Sequence, residues 1–473
     1  MGETALPESR SETPEPVGAA RRRFLLPLAL AQFICSFAGS NMNVMINDIS
    51  EDLDTTVQGV QLAITLFLLI MAILMIPGSK LSDRWGRKRC FTGGLVLYGI
   101  GASLSAVSPG LGVLILGNSI LEGVGTALLI PPVYILTTMT FSNVTSRARA
   151  FGVISGLGGI GAAAGPLIGG LITTGISWRA AFIFQALVVA TIVLLSRRMV
   201  DPVAPDPTRP FDVGGAILSA VGMFFVVVGI LLADSDKVLT VVLLAIGASF
   251  LLGFLLYIRA RERAGKAALL STRLFRNRIS NLGLVTQNIQ WLLLLGTSFV
   301  VAVFLQTVRG YNAIETGVIF TAATLGVLLT SFGAERFASR RAQKTLIVAG
   351  FVITIAGIGL LLGLVSASEN VLAFAPGLFL VGSGLGIMLT PSVNVVQSSF
   401  PEELQGEISG LSRAVSNLGS SFGTAIAGTV LVSGLAMGNR SYALAMVVLG
   451  LFGLVGLGAA LLLPAKVVHE HVA

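Results

Sequence analysis

Fourteen apolar runs divide this chain of 473 residues and leave little room for a soluble domain. They lie at about 24–47, 57–78, 91–108, 111–139, 149–174, 180–197, 212–233, 238–258, 280–305, 312–333, 345–366, 371–398, 404–433 and 441–464. A helix crosses a bilayer core with roughly 20 apolar residues, so each run is a candidate span. Only 11% of residues are charged and the mean hydropathy is +0.88, whereas soluble domains carry about 25% charge. The reading is an all-α membrane protein with 14 transmembrane helices. The 56 glycines show no period-three repeat and fit closely packed membrane helices. Connections such as Ser108-Pro109-Gly110 are short enough to force antiparallel neighbours.

Charge orients the chain. With the N-terminus inside, the only cations in external loops are Arg179, Lys237, Arg309 and Arg440, out of 31 Lys and Arg. The first external loop holds Asp48, Glu51, Asp52 and Asp54. Such asymmetry is the positive-inside pattern, and an even number of spans places both termini in the cytoplasm of a plasma (inner) membrane protein. The net charge of +8 is therefore a matter of orientation and not a nucleic-acid signal. Arg21, Arg22 and Arg23 before an apolar run imitate a signal peptide, but the run continues too far, so it reads as an uncleaved first span.

The division expected is a disordered cytoplasmic tail at 1–23, a six-helix bundle at 24–197, and a proline-rich linker at 198–211. Two additional transmembrane helices follow at 212–258, then a basic cytoplasmic linker at 259–279 and a second six-helix bundle at 280–464. A cytoplasmic tail at 465–473 ends the chain. An internal repeat supports this. Gly123, Gly125 and Pro132 in span 4 match Gly382, Gly384 and Pro391 in span 12 at the same spacing. Span 5 and span 13 share Ile-Ser-Gly-Leu at Ile154 and Ile408, followed by two matching glycines. Duplicated halves with a site at mid-depth are a transporter design.

Between spans 2 and 3, Gly78–Arg89 carries five cations around one carboxylate, Asp83, and reads as a tight loop turned by Gly78 and Gly86. Its pattern, Gly-x-x-x-x-Asp-Arg-x-Gly-Arg-Lys, resembles the loop between spans 2 and 3 of the major facilitator superfamily. That resemblance implies a major facilitator fold working by alternating access. It makes Gly78, Asp83, Arg84, Gly86 and Arg87 a conformational latch, with Asp83 meeting the cytoplasmic start of span 13. Gly161, Gly165, Pro166 and Gly169 in span 5 resemble the Gly-Pro motif of the superfamily's exporters and imply a gating helix. Trp178-Arg179-Ala180-Ala181-Phe182, Phe211-Asp212-Val213-Gly214 and the span count resemble the fourteen-span drug:proton antiporter family. Trp178 and Arg179 also read as interfacial anchors. Two positions depart from that family. Ala38 stands where it usually carries an aspartate in span 1, and Ser119 where it carries an arginine in span 4; both groups are linked there to proton coupling.

Charge at mid-depth is scarce and defaults to a functional hypothesis. Glu122 lies about 16 Å into span 4, and Arg413 lies at comparable depth in span 13. Glu122 is a candidate for proton or cation handling, or else a structural or state-dependent partner of Arg413. Arg413 is alternatively a receptor for an anionic substrate group. Spans 1, 4, 9 and 12 line the cavity in the superfamily, and span 2 adds one amide. The substrate-cavity candidates are Asn41, Asn43, Gln61, Gln287, Asn288, Asn394 and Gln397, with Trp291 and Phe299 as apolar wall. Some of these amides are equally readable as bonds between helices.

Absences bound the rest. There is no Walker sequence, because Gly265-Lys266 is followed by Ala267. Cys35 and Cys90 sit too far apart in depth for a disulfide. His469 and His471 are in the last five residues, so a buried histidine relay or metal site is excluded. Asn143-Val144-Thr145 matches a glycosylation pattern but falls in a cytoplasmic loop. No cofactor and no catalytic constellation is expected. The expectation is a monomeric secondary transporter, not an enzyme, that exports lipophilic or amphiphilic small molecules of multidrug-efflux type and couples to protons. The alternative is a lipid-like metabolite transporter or flippase without that coupling.

Overall fold

The computed structural model describes residues 19–141, 144–201, 205–208, 210–232, 237–338, 343–367, 370–401, 404–432 and 439–464. The tail to residue 18, parts of the proline-rich linker (202–204 and 209), Asn143, and 465–473 with His469 and His471 lie outside these. Long helices account for most of the described chain. We number them α1 (Ala19–Asn41), α2 (Val57–Trp85), α3 (Arg87–Ala106), α4 (Leu111–Thr140), α5 (Val144–Gly175), α6 (Trp178–Ser196) and α7 (Val213–Leu231). The series continues with α8 (Lys237–Arg263), α9 (Arg278–Val308), α10 (Ala313–Ala338), α11 (Gln343–Ala367), α12 (Phe374–Gln397), α13 (Gln405–Val432) and α14 (Asn439–Leu461). Among the described residues, eleven are long and apolar enough to cross a membrane, or twelve if α5 is one bent span. The two long helices outside that count are α3 and α13.

The helix starts follow from local chemistry. Thr56, Ser177, Asp212 and Asn277 each accept a backbone N–H of the first turn of α2, α6, α7 and α9, satisfying donors that have no partner inside the helix. The stretch read as a tight loop is corrected by the structure. Helix α2 runs through Gly78 to Trp85, and Gly86 alone turns the chain, at φ 98°. Nothing between Gly78 and Trp85 breaks a helix. Gly78 instead serves contact: a Cβ there would meet the backbone carbonyl of Ala127 on α4.

Packing repeats itself along the chain. The pairs α1·α5, α2·α4, α3·α4, α3·α6 and α1·α6 recur as α9·α13, α10·α12, α11·α12, α11·α14 and α9·α14. Matching glycines make matching contacts. Gly125 lies against Gly94 and Tyr98 of α3, and Gly384 against Gly350 and Thr354 of α11. Gly123 abuts Ile70 and Phe67 of α2, and Gly382 abuts Ala323 of α10. The two helix sets meet along α2·α13 and α5·α10, a pair of seams that the n to n+8 correspondence exchanges. Helices α7 and α8 pack on each other and touch the bundle through α7, and α8 is the least buried of the candidate spans.

Candidate functional site

A narrow cavity of about 60 Å³ lies between the two helix sets. Helical spacing builds its walls. From the first set come Gln32, Cys35, Ser36 and Ser40 of α1, one face of that helix, with Phe67, Met71 and Met75 of α2. From the second come Trp291, Leu294, Leu295 and Ser298 of α9, and Arg413, Ser416, Asn417 and Ser420 of α13. Both groups follow the i, i+3, i+4, i+7 pattern of a single helix face. A second space of about 50 Å³ adjoins it, sharing Ala162, Trp291, Leu294 and Ser298. Its other walls are mostly apolar, among them Phe320, Val327, Leu378 and Leu385 of α10 and α12.

Arg413 is the one charged residue among those lining either space. Its guanidinium stands 4.3 Å over the Tyr134 ring and donates to the Tyr134 hydroxyl. Tyr134 donates in turn to Gln32 Oε1 at 3.1 Å, and Gln32 Nε2 donates to Ser36 Oγ at 3.2 Å. This chain therefore crosses from α13 to α4 and α1. Tyr134 stacks on Phe151 of α5 at 5.8 Å, which fixes the ring under the cation.

Glu122 occupies a different place. It ends a π-helical stretch, Ile115–Glu122, inside α4, a local irregularity that often marks function. The residue is fully buried and does not line the cavity. Its side chain packs against Gly101 of α3, where a Cβ would come within 2.9 Å of Glu122 Cγ. Neither carboxylate oxygen makes a hydrogen bond of normal geometry among the described residues. Tyr98 nearby donates to Gln185 Oε1 of α6. One turn on from Glu122, Thr126 accepts from the Cys35 thiol at 3.7 Å, and Cys35 faces the cavity. Glu122 and Arg413 form no ion pair.

The amides singled out in the sequence fall mostly elsewhere. Of those candidates Trp291 alone lines the cavity, together with Arg413. Asn288 Nδ2 donates to Val415 O at 2.9 Å, Gln61 Nε2 to Thr424 O at 3.3 Å, and Gln287 Oε1 accepts from Ser412 at 2.8 Å. These are bonds between helices. Asn41 and Asn43 are buried, with no side-chain partner, while the Asn43 carbonyl accepts from Gln306 Nε2 at 3.0 Å. Asn394 and Gln397 lie on α12 away from the cavity lining, and Phe299 is buried in the core.

Among the described residues, the latch segment makes two ion pairs. Asp83 pairs with Arg87, one turn on, at 2.7 Å. The ion pair from this segment to the second helix set is made by Lys80, whose Nζ lies 2.6 Å from Glu407 Oε1 at the start of α13. Glu407 Oε2 also accepts from the Ser271 backbone at 2.8 Å. Arg84 is half-buried and Arg87 is buried. The glycine face of α5 turns inward to α1: a Cβ at Gly161, Gly165 or Gly169 would meet Phe33, Ser40 or Asn41. The seam to α10 is made by Pro166 and Gly170, against Gly317 and Ala313. At the other end of the molecule, Gln306 bonds Asn43 and Asn47, and Thr174 accepts from Ile314. Trp178 is buried, and its indole donates to Asp52 at 3.1 Å.

Sequence reading missed Tyr134 and Gln32, which carry no charge, and Lys80 and Glu407, which lie at helix ends where charge is ordinary. The stripe Arg413, Ser416, Asn417 and Ser420 was visible as a polar helix face. The two cysteines are free, as their separation implied.

Comparison with known proteins gives these features a frame. The family profile described as Major Facilitator Superfamily matches residues 28–424. The puromycin resistance protein pur8 of Streptomyces alboniger is 28% identical over 86% of this chain and 81% of its own length. The multidrug resistance protein Stp of Mycobacterium tuberculosis is 26% identical over 86% and 75%. The tetracenomycin C resistance and export protein of Streptomyces glaucescens is 27% identical over 86% and 76%. Among solved structures, the peptide transporter POT in complex with sulfate superimposes with a TM-score of 0.68 over 96% of each chain at 16% identity, a likeness of fold. With a matched profile over most of its length and a cavity between two helix sets, this chain belongs to the major facilitator superfamily as a multi-pass membrane transporter of small molecules, not an enzyme.

Proposed function

We propose that the protein is a fourteen-span secondary exporter of lipophilic or amphiphilic small molecules, driven by the proton gradient, with both termini in the cytoplasm. The observation that carries this reading is the mid-depth cavity, with a hydroxyl-lined part beside a mostly apolar one. Such a cavity suits amphiphiles. The named activities of the relatives, resistance to puromycin and export of tetracenomycin C, point the same way. All fourteen long helices cross the membrane in this reading, including α3 and α13, whose small polar residues face other helices. The two six-helix sets rock about the seams α2·α13 and α5·α10, with α7 and α8 as peripheral additions.

Glu122 is the proton site proposed. An ionised carboxylate buried without a partner is costly, so this position suits a group that takes up and gives back a proton. The cytoplasmic latch is the segment from Gly78 to Arg87, acting through Lys80 on Glu407 while Asp83 and Arg87 hold the turn. A carboxylate in the first turn of α13 also meets the positive end of that helix. Ala38 and Ser119 favour a second reading, transport of a lipid-like metabolite without proton coupling. Ser119 donates to the Ala63 carbonyl at 2.7 Å and serves packing where the family carries its arginine.

The test is efflux of Nile red, a neutral fluorescent amphiphile, and of a fluorescent phospholipid from proteoliposomes, with and without an imposed pH gradient. Gradient-dependent Nile red movement that Glu122→Gln abolishes is the expected result. Flux that ignores the gradient, with Glu122→Gln without effect, removes proton coupling and leaves the second reading.

A further inference from the structure

We infer that the preferred cargo is an amphiphile carrying an anionic group, which Arg413 receives in the cavity while the apolar body lies in the adjoining space. The inference rests on the export reading above and names its substrate class. Three observations carry it. No carboxylate lines either space, and Arg413 is the one charge there. A cavity of low polarity with a single fixed cation discriminates by charge sign, because a cationic ligand meets repulsion that water no longer screens. Second, Arg413 is held without an acidic partner. It donates to the Tyr134 hydroxyl and lies over the Tyr134 ring, contacts that leave most of its five N–H donors available. A guanidinium matches carboxylate, sulfonate and phosphate oxygens in a two-point geometry. Third, the same face of α13 presents Asn417 one turn on, and its Nδ2 is a donor with no partner. Donors aligned beside a cation are what an oxyanion requires. Trp291 and Phe320 stand on the apolar side, where an aromatic or acyl body finds contact.

A matched set of pyrene probes tests this: 1-pyrenebutyrate as the anion, 1-pyrenemethylamine as the cation and 1-pyrenebutanol as the neutral form. Binding and gradient-driven efflux are measured with the full chain in zwitterionic-lipid nanodiscs and proteoliposomes. The expected result is a preference of at least about tenfold for the anion over the cation. Arg413→Gln should erase that preference, with 1-pyrenebutyrate binding no more tightly than 1-pyrenebutanol, and an intact thermal midpoint in detergent reports that the variant is folded. Arg413→Lys should retain part of it. Equal or tighter binding of the cation, or a preference that survives Arg413→Gln, overturns the inference while the export reading stands. Failure of all three probes to bind or move overturns the export reading, and the inference with it.

Discussion

The two charges at mid-depth, Glu122 and Arg413, sit at similar distances along their helices but in opposite surroundings. Glu122 is sealed within the first helix set, against Gly101. Arg413 looks into the space between the sets and reaches across it to Tyr134. One lies inside a single helix set and the other at the interface between the two sets. The lesson is that depth in the membrane and access to cargo are separate properties. A transporter can keep the group that handles the driving ion apart from the group that touches cargo, and couple them through the helices between. Here the link is short: Glu122, then Thr126 one turn on, then Cys35 at the cavity wall.

The sharpest way to break this comparison is a pair of substitutions. Glu122→Gln should abolish the gradient-dependent part of export and leave probe binding intact. Arg413→Gln should do the reverse, keeping gradient dependence and losing anion affinity. If both variants lose the same property, the two sites are one. Next in size is Gly101→Leu. A Cβ there already meets Gly117 O at 2.6 Å and Glu122 N at 2.9 Å, so the larger side chain should cost about 1–3 kcal/mol or more by overpacking. A lowered thermal midpoint in detergent checks this. Gly93→Leu on the same helix, with open space around it, should leave the midpoint unchanged.

Smaller again is Lys80→Gln at the cytoplasmic end. The pair with Glu407 is partly exposed, at 27% and 19%, and such pairs contribute about 0–1 kcal/mol. The variant should shift the population toward the cytoplasm-open state by a modest factor. Faster modification of a cysteine placed at Ser416 by a cytoplasmic thiol reagent is the measurement, and no change would remove Lys80 from the latch. The least effect is expected from acid at the outer end. The hydrogen bond from Arg179, aided by one from Trp178 against slight desolvation, holds the Asp52 carboxyl below its ordinary value. A lowered folded-state value stabilises above the unfolded value, about 3.9, and that contribution disappears as pH falls through the folded value. Stability should therefore be flat near neutrality and decline slightly below about pH 4, a decline that Asp52→Asn should remove.

Much of this architecture was legible along the chain. Apolar length marks a span because unpaired backbone groups cannot be left in hydrocarbon. The repeated glycines at 123 and 125 and at 382 and 384 foretold paired contacts, since only a missing side chain lets helices approach so closely. Lys80, by contrast, was not singled out, yet it reaches Glu407 at the start of α13. Gly78 was read as a turn and proved a packing site. An amide at depth is equally satisfied by a neighbouring backbone, and Asn288 and Gln61 found theirs on α13.

What the amino-acid order determined by itself is therefore the run of long helices and the small residues where they touch. These are properties of hydrophobic length, charge placement and side-chain volume, all local along the chain. What only the tertiary structure decided is which face of each helix meets the cavity. That face is set by the rotation at which each helix locks onto its neighbours, so it depends on residues of other helices. The same rotation closes Glu122 inside one bundle and turns Arg413 toward the space between two.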